Sequence, residues 1–417
     1  MAAITKKFYG AGGIPVVHAN NPNSRVFCVG IWVKTGSRHE MSDEAGLSHF
    51  LEHMIFKGTT SRSALEISQE IERVGGSLDA FTTKEHICIH AQVLESHAEL
   101  AFDILGDMLS NPLFAKDHIE LEKQVVLEEI RDVMDSPDDL IHDLFAAVIF
   151  SGHPLGQPIL GSPATVSRFT RKKLVRFANN AFRSSNMLIS VYGNIDRRSL
   201  RRLTDKHFHL CDGKVKQNRK KPGRYGPVRK LYRRRLHHQH LCIGTRTWSY
   251  LEDRRYPLMI LTNLLGGGMS SRLFQLIREE LGLAYSVFTY TEFIQDSGLI
   301  GTYLSVNPKN AAIAVRCVLE EFQRARNGDI QQNELDDMKE QLRGKILLGL
   351  ETSAAKMMRL SRNELYFGRQ IGEQEILRKI DGVSLADLRD VAYEVLDPNK
   401  TSLVSLGPTS AGTRITL

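Results

Sequence analysis

The sequence predicts an α+β protein made of two similar domains, each a mainly antiparallel sheet with helices packed on one face. Three observations support this prediction. The length of 417 residues suits two domains of ordinary size. The same order of strand-like and helix-like segments occurs twice, once on each side of a basic segment at residues 212–235. In both halves long helical stretches follow the strand-like segments, which is typical of α+β proteins.

The first half contains a clear succession of elements. The segment "VFCVGIWVKTGSRHE" alternates like a strand and precedes an amphipathic helix in "GLSHFLEHMIFKGT". A second helix is predicted over residues 63–74, because it ends at Gly75-Gly76. The segment "FTTKEHICIHAQVL" then alternates as a strand, and a long helix is predicted over residues 117–134.

The second half repeats this order with different residues. The segment "HHQHLCIGTRTWSYLED" is strand-like, and "YPLMILTNLLGGG" and "SRLFQLIREELG" are helical. The segment "YSVFTYTEFIQDSGLIGTYL" predicts paired strands, and a single long helix is predicted over residues 332–363. The chain therefore has the pattern of a weak internal duplication of about 200 residues per half.

The net charge of +7 comes from one segment. Residues 212–235 hold eleven Lys and Arg and one Asp, so the rest of the chain has 44 basic and 47 acidic residues. With two prolines and three glycines, this segment is interpreted as a solvated linker between the halves. A nucleic-acid groove is the weaker alternative, because no aromatic stacking pattern accompanies the charge.

Membrane and secretory classes are not favoured. The longest run of aliphatic and aromatic residues is Leu144 to Phe150, far below the ~20 residues that cross a bilayer. The N-terminal residues lack the apolar core of a signal peptide. Five scattered cysteines, without Cys-x-x-Cys spacing, indicate reduced thiols. We therefore expect a cytoplasmic protein without a membrane partner.

The helix in "GLSHFLEHMIFKGT" carries a motif for a metal. His49 and His53 are four residues apart, so their side chains lie on one face of the helix, and Glu52 lies beside them. This order, His-x-x-Glu-His, is the inverse of the common zinc-peptidase motif His-Glu-x-x-His. The alternative on these residues alone is a pair of hydrogen-bonded histidines beside the core. The corresponding helix of the second half has only apolar and neutral residues from Leu258 to Leu264, so that half is predicted to be metal-free.

Zinc sites of hydrolases usually have three protein ligands, and the segment "DHIELEKQVVLEEIRDVMD" is the best candidate to supply the third. Glu122 and Glu129 are seven residues apart and share a helix face that Val125, Val126 and Val133 mark as buried. Glu128 is rotated by about 100° toward solvent. A cation between the helices would satisfy the carboxylates, and a salt-bridged pair at a helix contact is the alternative.

These motifs together resemble the pitrilysin family of inverted-motif zinc metallopeptidases. "VVLEEIRDV" places its second Glu 76 positions after His53, and "GGSLDAFTTKEH" resembles the active-site edge strand of the family. "HPLGQPILG", "NMLISVYGNID" and "LLGGGMSSRLFQLIREELGLAYSV" resemble further landmarks of both halves. The length resembles that of bacterial members related to the β subunit of the mitochondrial processing peptidase.

The resemblance implies roles for individual residues. One Zn²⁺ per chain would be held by His49, His53 and Glu129, with Glu52 as the general base. Glu122 would hydrogen-bond a ligand histidine. From the second half, Arg278 and Tyr285 would stabilise the oxyanion or hold a substrate carbonyl. In the first half, an edge strand would bind the substrate peptide through Asp79, Ala80, Phe81 and Thr82.

The resemblance also implies an overall organisation and a function. Residues 1–211 would be the zinc-binding catalytic domain, 212–235 the basic linker, and 236–417 a metal-free domain that completes the active site. The expected activity is endopeptidase cleavage of short or unfolded peptides, bound as an added strand in a chamber between the domains of a homodimer. A cytoplasmic bacterial enzyme is expected rather than one of the mitochondrial matrix. The alternatives are a catalytically idle or processing-type subunit of a hetero-oligomer, and a nucleic-acid-binding protein.

Overall fold

A computed structural model of the protein describes residues 4–211, 213, 215 and 220–408. Residues 4–211 form the strands β1 (Ile4–Tyr9), β2 (Pro15–Asn20), β3 (Val26–Val33), β4 (Ser77–Thr82), β5 (Ile87–Leu94) and β6 (Met187–Gly193). Their helices are α1 (Leu47–Ile55), α2 (Ala64–Glu72), α3 (Ala98–Ser110), α4 (Lys116–Asp135), α5 (Pro137–Ile149), α6 (Pro163–Val166), α7 (Arg171–Ala181) and α8 (Arg197–His207).

Residues 220–408 repeat this mixture of elements. Their strands are β7 (Arg229–Arg233), β8 (Gln239–Thr247), β9 (Ala284–Phe293), β10 (Gly298–Val306) and β11 (Ser402–Gly407). Their helices are α9 (Arg255–Gly266), α10 (Ala311–Arg326), α11 (Gln332–Leu348), α12 (Ser353–Phe367), α13 (Glu373–Asp381) and α14 (Leu385–Val395). A π-helical segment, Phe274–Glu280, lies where the sequence predicts the helix "SRLFQLIREELG".

The strands form two separate sheets. The first has the order β1-β2-β6-β3-β5-β4, and the second has the order β7-β11-β8-β10-β9. All pairs are antiparallel except β2 with β6 and β7 with β11. The predicted α+β class, with a mainly antiparallel sheet in each of two similar parts, is confirmed.

The chain divides into two compact units, and each unit is made of three separate stretches of the sequence. The first unit contains the residues up to Arg131, residues 157–220 and residues 349–370; the second contains residues 132–156, residues 221–348 and the residues from Ile371 onward. The boundaries predicted at residues 212 and 235 stay a prediction about domains. In each unit, one face of the sheet is covered by a helix that comes from the other half of the sequence.

In the first unit, helices cover both faces of the sheet. One face packs against α1, α3, α4, α7 and α8 in the main core. The other packs against α12, where Met357 contacts the strands beside Trp32 and Leu188. Strand β3 is therefore buried on both faces, and "VFCVGIWV" is nearly continuously apolar instead of strictly alternating. Gly30 in β3 permits the approach of α12, because a Cβ there would lie 2.6 Å from the Met357 sulfur.

In the second unit the arrangement is equivalent. The helices α9, α10 and α14 pack on one face of the sheet. Helix α5 packs on the other face, where Phe145 and Ile149 contact the side of β8 and β11 that carries Cys242 and Val404. The sequence predicts helices on one face of each sheet. The structure adds one helix on the second face of each, α12 in the first unit and α5 in the second.

Two details of the sequence prediction are wrong. The predicted long helix at 332–363 is interrupted between Leu348 and Ser353, because the Thr352 side chain caps a new helix by accepting from the Ala355 amide. The basic segment is not only linker, since residues 229–233 form β7, paired with β11. Residues 212, 214 and 216–219 of that segment lie outside the described residues.

No helix among the described residues combines enough length and apolarity to cross a bilayer.

Candidate metal centre

The metal-motif helix α1 has a fixed N-terminus. Gly46 precedes it with φ +94°, and a Cβ there would lie 2.6 Å from the Leu160 carbonyl oxygen, so a glycine is needed. The buried carboxylate of Glu40 accepts hydrogen bonds from the Gly46 amide at 2.8 Å and the Ser48 amide at 2.6 Å. These bonds satisfy amides that the first turn of a helix leaves without partners. Burial raises the pKa of Glu40 to about 7.

Three side chains converge at one point of the first unit. The ligand atoms of His49, His53 and Glu129 all lie within 4.8 Å of one another. The Nε2 atom of His49 is 3.7 Å from Oε2 of Glu129, and Nε2 of His53 is 3.5 Å from Oε1 of Glu129. The two imidazole rings are 4.6 Å apart. Helix α1 supplies both histidines and α4 supplies the carboxylate.

These distances fit a zinc ion. Two ligand atoms held tetrahedrally at the usual zinc distances lie about 3.4 Å apart, close to both nitrogen–oxygen separations. The same distances are too long for good hydrogen bonds between the groups. In addition, the buried Oε2 of Glu129 has no hydrogen-bond partner among the described residues. The donor set and its spacing are therefore suited to a cation bound between them.

The two histidines have different electrostatic environments. Burial lowers the pKa of His49 to about 4, so its imidazole is neutral near pH 7 and has a free lone pair. Burial acts in the same direction on His53, but the hydrogen bond to Glu122 and the charge of Glu129 outweigh it and raise the pKa of His53. A bound cation would take the place of that proton, since metals bind neutral imidazole.

Glu122 fixes the orientation of His53. Its Oε2 lies 3.1 Å from Nδ1 of His53, and its Oε1 lies 2.6 Å from Nζ of Lys57. A donating Nδ1–H leaves the lone pair of Nε2 directed at Glu129. Burial would raise the pKa of Glu122, but the hydrogen bonds from His53 and Lys57 lower it. The contribution of Lys57 was not predicted, although its position four residues after His53 on the same helical face is a usable signal.

The faces of α4 differ in part from those predicted. Glu122 is buried, Glu129 is half-buried beside the histidines, and the side chain of Glu128 is 63% exposed and pairs with Arg131. Val126 is fully buried, as predicted. Val125, however, is 40% exposed, because the buried face is centred on Val126 and Ile130. The prediction that Val125 lies on the buried face is wrong.

Glu52 faces strand β4. The Thr82 hydroxyl of β4 donates a hydrogen bond to Oε2 of Glu52. Burial raises the pKa of Glu52, and the hydrogen bond from Thr82 opposes that shift. The carboxylate is therefore held in place by a residue of the predicted substrate strand.

Strand β4 is the outermost strand of the first sheet. It pairs with β5 on one side, with Ala80 opposite Ile89, and no described strand pairs with its other side. Asp79 is exposed and accepts a hydrogen bond from the Ala80 amide at 2.8 Å. Phe81 packs edge-on against Trp32, with ring centroids 5.7 Å apart. The edge is thus open to a further strand, and Asp79 covers one of its amides.

Arg278 and Tyr285 lie together in the second unit. The Arg278 guanidinium carbon is 5.0 Å from the centroid of the Tyr285 ring, and the Tyr285 residue is 83% exposed. The π-helical segment Phe274–Glu280 places Arg278 beside the start of β9. The structure brings the two side chains together, and their role in catalysis stays a prediction.

Known proteins resemble this chain over nearly its full length. Residues 15–163 match the family model described as insulinase (peptidase family M16), and residues 168–342 match the one described as peptidase M16 inactive domain. An uncharacterized zinc protease of Bacillus subtilis is 36% identical over 390 residues, which cover 94% of this chain and 95% of that protein. An uncharacterized zinc protease of Mycobacterium leprae is 40% identical over 402 residues, covering 95% and 90%.

Solved structures share the fold. A protease from Helicobacter pylori aligns with a TM-score of 0.90 at 22% identity, covering 98% of this chain and 100% of that one. A peptidase M16 inactive domain structure from Pseudomonas fluorescens aligns with a TM-score of 0.91 at 18% identity, covering 98% and 99%. From its match to both family models and to these relatives, the chain belongs to peptidase family M16, the pitrilysin family that its inverted histidine motif predicted.

Proposed function

We propose that the protein is a zinc-dependent endopeptidase whose metal is held by His49, His53 and Glu129, one ion per chain. The observation that carries the proposal is the convergence of these three side chains, within 4.8 Å, beside Glu52 on the same helix. The names of the Bacillus subtilis and Mycobacterium leprae relatives support zinc and proteolysis.

The metal and the residues around it would have different roles in peptide hydrolysis. A bound zinc ion supplies a Lewis acid that lowers the pKa of water to about 7 and polarises a peptide carbonyl. Glu52 accepts a proton from the attacking water at its carboxylate and later delivers it to the leaving amine. Burial raises the pKa of Glu52, which makes its carboxylate a stronger base toward water. Thr82 holds the carboxylate, and Glu122 holds the His53 ring.

The open edge of β4 suggests how a substrate binds. An extended peptide can add to a sheet edge through main-chain hydrogen bonds, which require little of the side chains. Residues 79–82 would then place the peptide next to Glu52, because Thr82 already contacts that carboxylate. We further propose that the two domains enclose this strand in a chamber, as the family resemblance implies, and that Arg278 and Tyr285 complete the site there.

Short or unfolded chains are the substrates that such an arrangement accepts. An extended peptide exposes its main-chain groups, whereas a stable fold keeps them paired. The proposal also includes a homodimer and a cytoplasmic location in a bacterium.

The experiment that tests the proposal uses the purified full-length chain alone. Zinc is measured by mass spectrometry, and cleavage is measured on an unstructured peptide and on the same sequence inserted in a stable fold. We expect about one zinc per chain, cleavage of the free peptide that a chelator abolishes and zinc restores, and little cleavage of the folded form. Zinc binding without cleavage would favour an idle or processing-type subunit. Salt-dependent nucleic-acid binding without zinc would favour the basic segment as the functional part. Efficient cleavage of the folded form would contradict the enclosed site.

A further inference from the structure

A groove of about 800 Å³ lies along α7, away from the residues proposed to bind zinc. Five of the residues that line it are cationic: Lys116, Arg171, Lys172, Arg176 and Arg183. None of its described lining residues is acidic. Consistent with this, the sequence has no Asp or Glu from residue 144 to residue 195, while six Lys and Arg fall in that stretch.

The charges of the groove are only partly neutralised within the first unit. Arg176 pairs with Glu44 at 2.8 Å. Arg171 donates to the carbonyl oxygens of Phe114, at 2.9 Å, and Leu113, at 3.2 Å, so no carboxylate cancels its charge in these contacts. The exposed side chains of Lys116 and Lys172 make no hydrogen bond or ion pair with any described residue.

The turn beside the groove, at Leu113 and Phe114, is held in position by Arg171. Phe114, which is buried, has φ +46°, a conformation that costs energy for a residue other than glycine. The bonds from Arg171 to the carbonyls of Leu113 and Phe114 hold this turn immediately before α4 begins at Lys116. The groove therefore runs from Lys116, the first residue of α4, along α7 to Arg183, two residues past the end of that helix.

The sequence of α7 breaks a rule of helix stability. Its first turn contains Arg171, Lys172 and Lys173 and no acidic residue, although helix N-termini favour negative charge. Asp43 lies 2.7 Å from Lys173 and compensates that residue. The other two cations have no such carboxylate among the described contacts. Departures from local rules without compensation in the fold are expected at functional positions.

The lining indicates the chemistry of a ligand. Asn179 and Asn180 add amide donors whose side chains have no hydrogen-bond partner among the described residues. Among the described residues of the lining there is no aromatic ring to stack a nucleobase, and Val175 is the only apolar side chain. The apolar side chains of a peptide would find little apolar surface in this groove, and the charges of a peptide are spaced apart along its chain. Several cations around a small volume instead suit a compact ligand of high charge density, because guanidinium and ammonium groups bind phosphate oxygens strongly.

We propose that the α7 groove binds a compact ligand that carries two or more adjacent phosphate groups. The site is separate from the proposed zinc site and does not depend on peptidase activity. The two sites share elements, since Lys116 begins α4, the helix that carries Glu122 and Glu129, and Phe169, just before α7, packs on Phe50 of α1 at 5.3 Å.

The test is calorimetric titration of the full chain with tripolyphosphate in 150 mM salt, compared with inorganic phosphate and ATP. We expect saturable binding of one tripolyphosphate per chain, and binding of inorganic phosphate weaker by at least about tenfold, because one phosphate contacts fewer cations. ATP and tripolyphosphate share the phosphate chemistry. Equal affinities would identify an inorganic chain as sufficient, and tighter binding of ATP would identify a nucleotide as the source.

Matched variants locate the site. Replacing both exposed lysines, K116Q with K172Q, is expected to weaken tripolyphosphate binding by at least about tenfold. The control K6Q with K309Q removes the same charge from exposed positions outside the groove and is expected to leave affinity within about twofold. Thermal unfolding without ligand checks that both variants are folded.

Four outcomes would overturn the proposal. They are absence of saturable tripolyphosphate binding, equal losses in the two double variants, equal binding of an oligo-aspartate peptide, and affinity that grows with the length of a single-stranded oligonucleotide. The last two would assign the groove to acidic peptides or to nucleic acid. Zinc content and peptide cleavage are not read in this experiment, so its outcome is independent of the proposed peptidase function.

Discussion

The hydroxyl of Thr82 donates a hydrogen bond to the carboxylate of Glu52, and this bond joins the outermost strand of the first sheet to the helix of the metal motif. One residue of the proposed substrate strand thus holds the proposed general base. A peptide that binds along β4 therefore arrives beside a carboxylate already oriented by the strand itself.

Replacing Thr82 with Val keeps the shape of the side chain but removes the donor to Glu52. We expect kcat to fall by on the order of tenfold, because one neutral-to-charged hydrogen bond is lost, while zinc content is unchanged. Thr82→Ser should restore most of the activity. A rise in KM without a fall in kcat would show instead that Thr82 acts only in binding the peptide.

Replacing Glu52 with Gln should abolish cleavage and keep the metal. The amide cannot accept a proton from water, and general-base catalysis is worth about 10²–10⁴-fold. Glu52 is not among the three converging ligands, so zinc content measured by mass spectrometry should match that of the unaltered protein. Loss of zinc, or retained turnover, would contradict the assignment of Glu52 as the base.

Glu129 and Glu128 form a matched pair for testing the third ligand. Glu129→Gln should weaken zinc binding by more than the roughly 10–100-fold that is typical for loss of an outer hydrogen-bond partner. Glu128→Gln removes a surface ion pair with Arg131 and should change neither zinc affinity nor turnover. Competition with a chelator of known affinity measures both. The reverse result would mean that α4 presents the other carboxylate to the metal.

Arg278 and Tyr285 should contribute to turnover but not to metal binding. Arg278→Gln and Tyr285→Phe should each lower kcat by on the order of 10²-fold, the size expected for loss of one oxyanion donor. Zinc content should be unchanged, because both residues belong to the unit that has no described metal cluster. Full activity in both variants would remove the second unit from the proposed chemistry.

Glu40 should make stability depend on pH. Its pKa rises from 4.5 to about 7 on burial, so the folded chain holds this proton more tightly than the unfolded chain. The stabilisation from the bound proton is fully present below about pH 4.5 and is lost as the pH rises through about 7, an effect on the order of 3 kcal/mol. Glu40→Gln removes this titration and also weakens the cap of α1.

The measurement for Glu40 is chemical unfolding of the metal-free chain between pH 4.5 and 8. The advantage of the unaltered protein over Glu40→Gln should be largest near pH 5 and should shrink toward pH 8. Glu128→Gln, an exposed change, serves as the control. Parallel stability curves for the unaltered protein and the Glu40 variant would show that the Glu40 proton has no role in stability.

The convergence of His49, His53 and Glu129 could be predicted from the sequence because its signals are local. The spacing of His49 and His53 places them on one face of a helix whatever the rest of the chain does. The seven-residue spacing of Glu122 and Glu129 likewise depends only on helical geometry. The cap from Glu40 and the bond from Thr82 were not predicted, since they join residues whose approach is set by the packing of α1 against the sheet.

The errors arise where distant packing decides the structure. Residues 332–363 have the composition of one helix, but Thr352 caps a second one that packs on a different sheet. Val125 is apolar and nevertheless exposed, because its neighbour Val126 takes the buried position. The basic residues 229–233 form a strand because β11, some 170 residues later, provides its partner.

The exchange of helices between the two halves of the sequence has a consequence for how the protein is made. The face of the first sheet around Trp32, Leu188 and Tyr192 is covered by α12, which ends at Phe367. A ribosome must therefore synthesise most of the chain before that apolar face can be buried. Until then it is an exposed hydrophobic surface of the kind that chaperones bind. A cut at the middle of the sequence would leave both products incomplete, because each half lacks the helix that covers one face of its sheet.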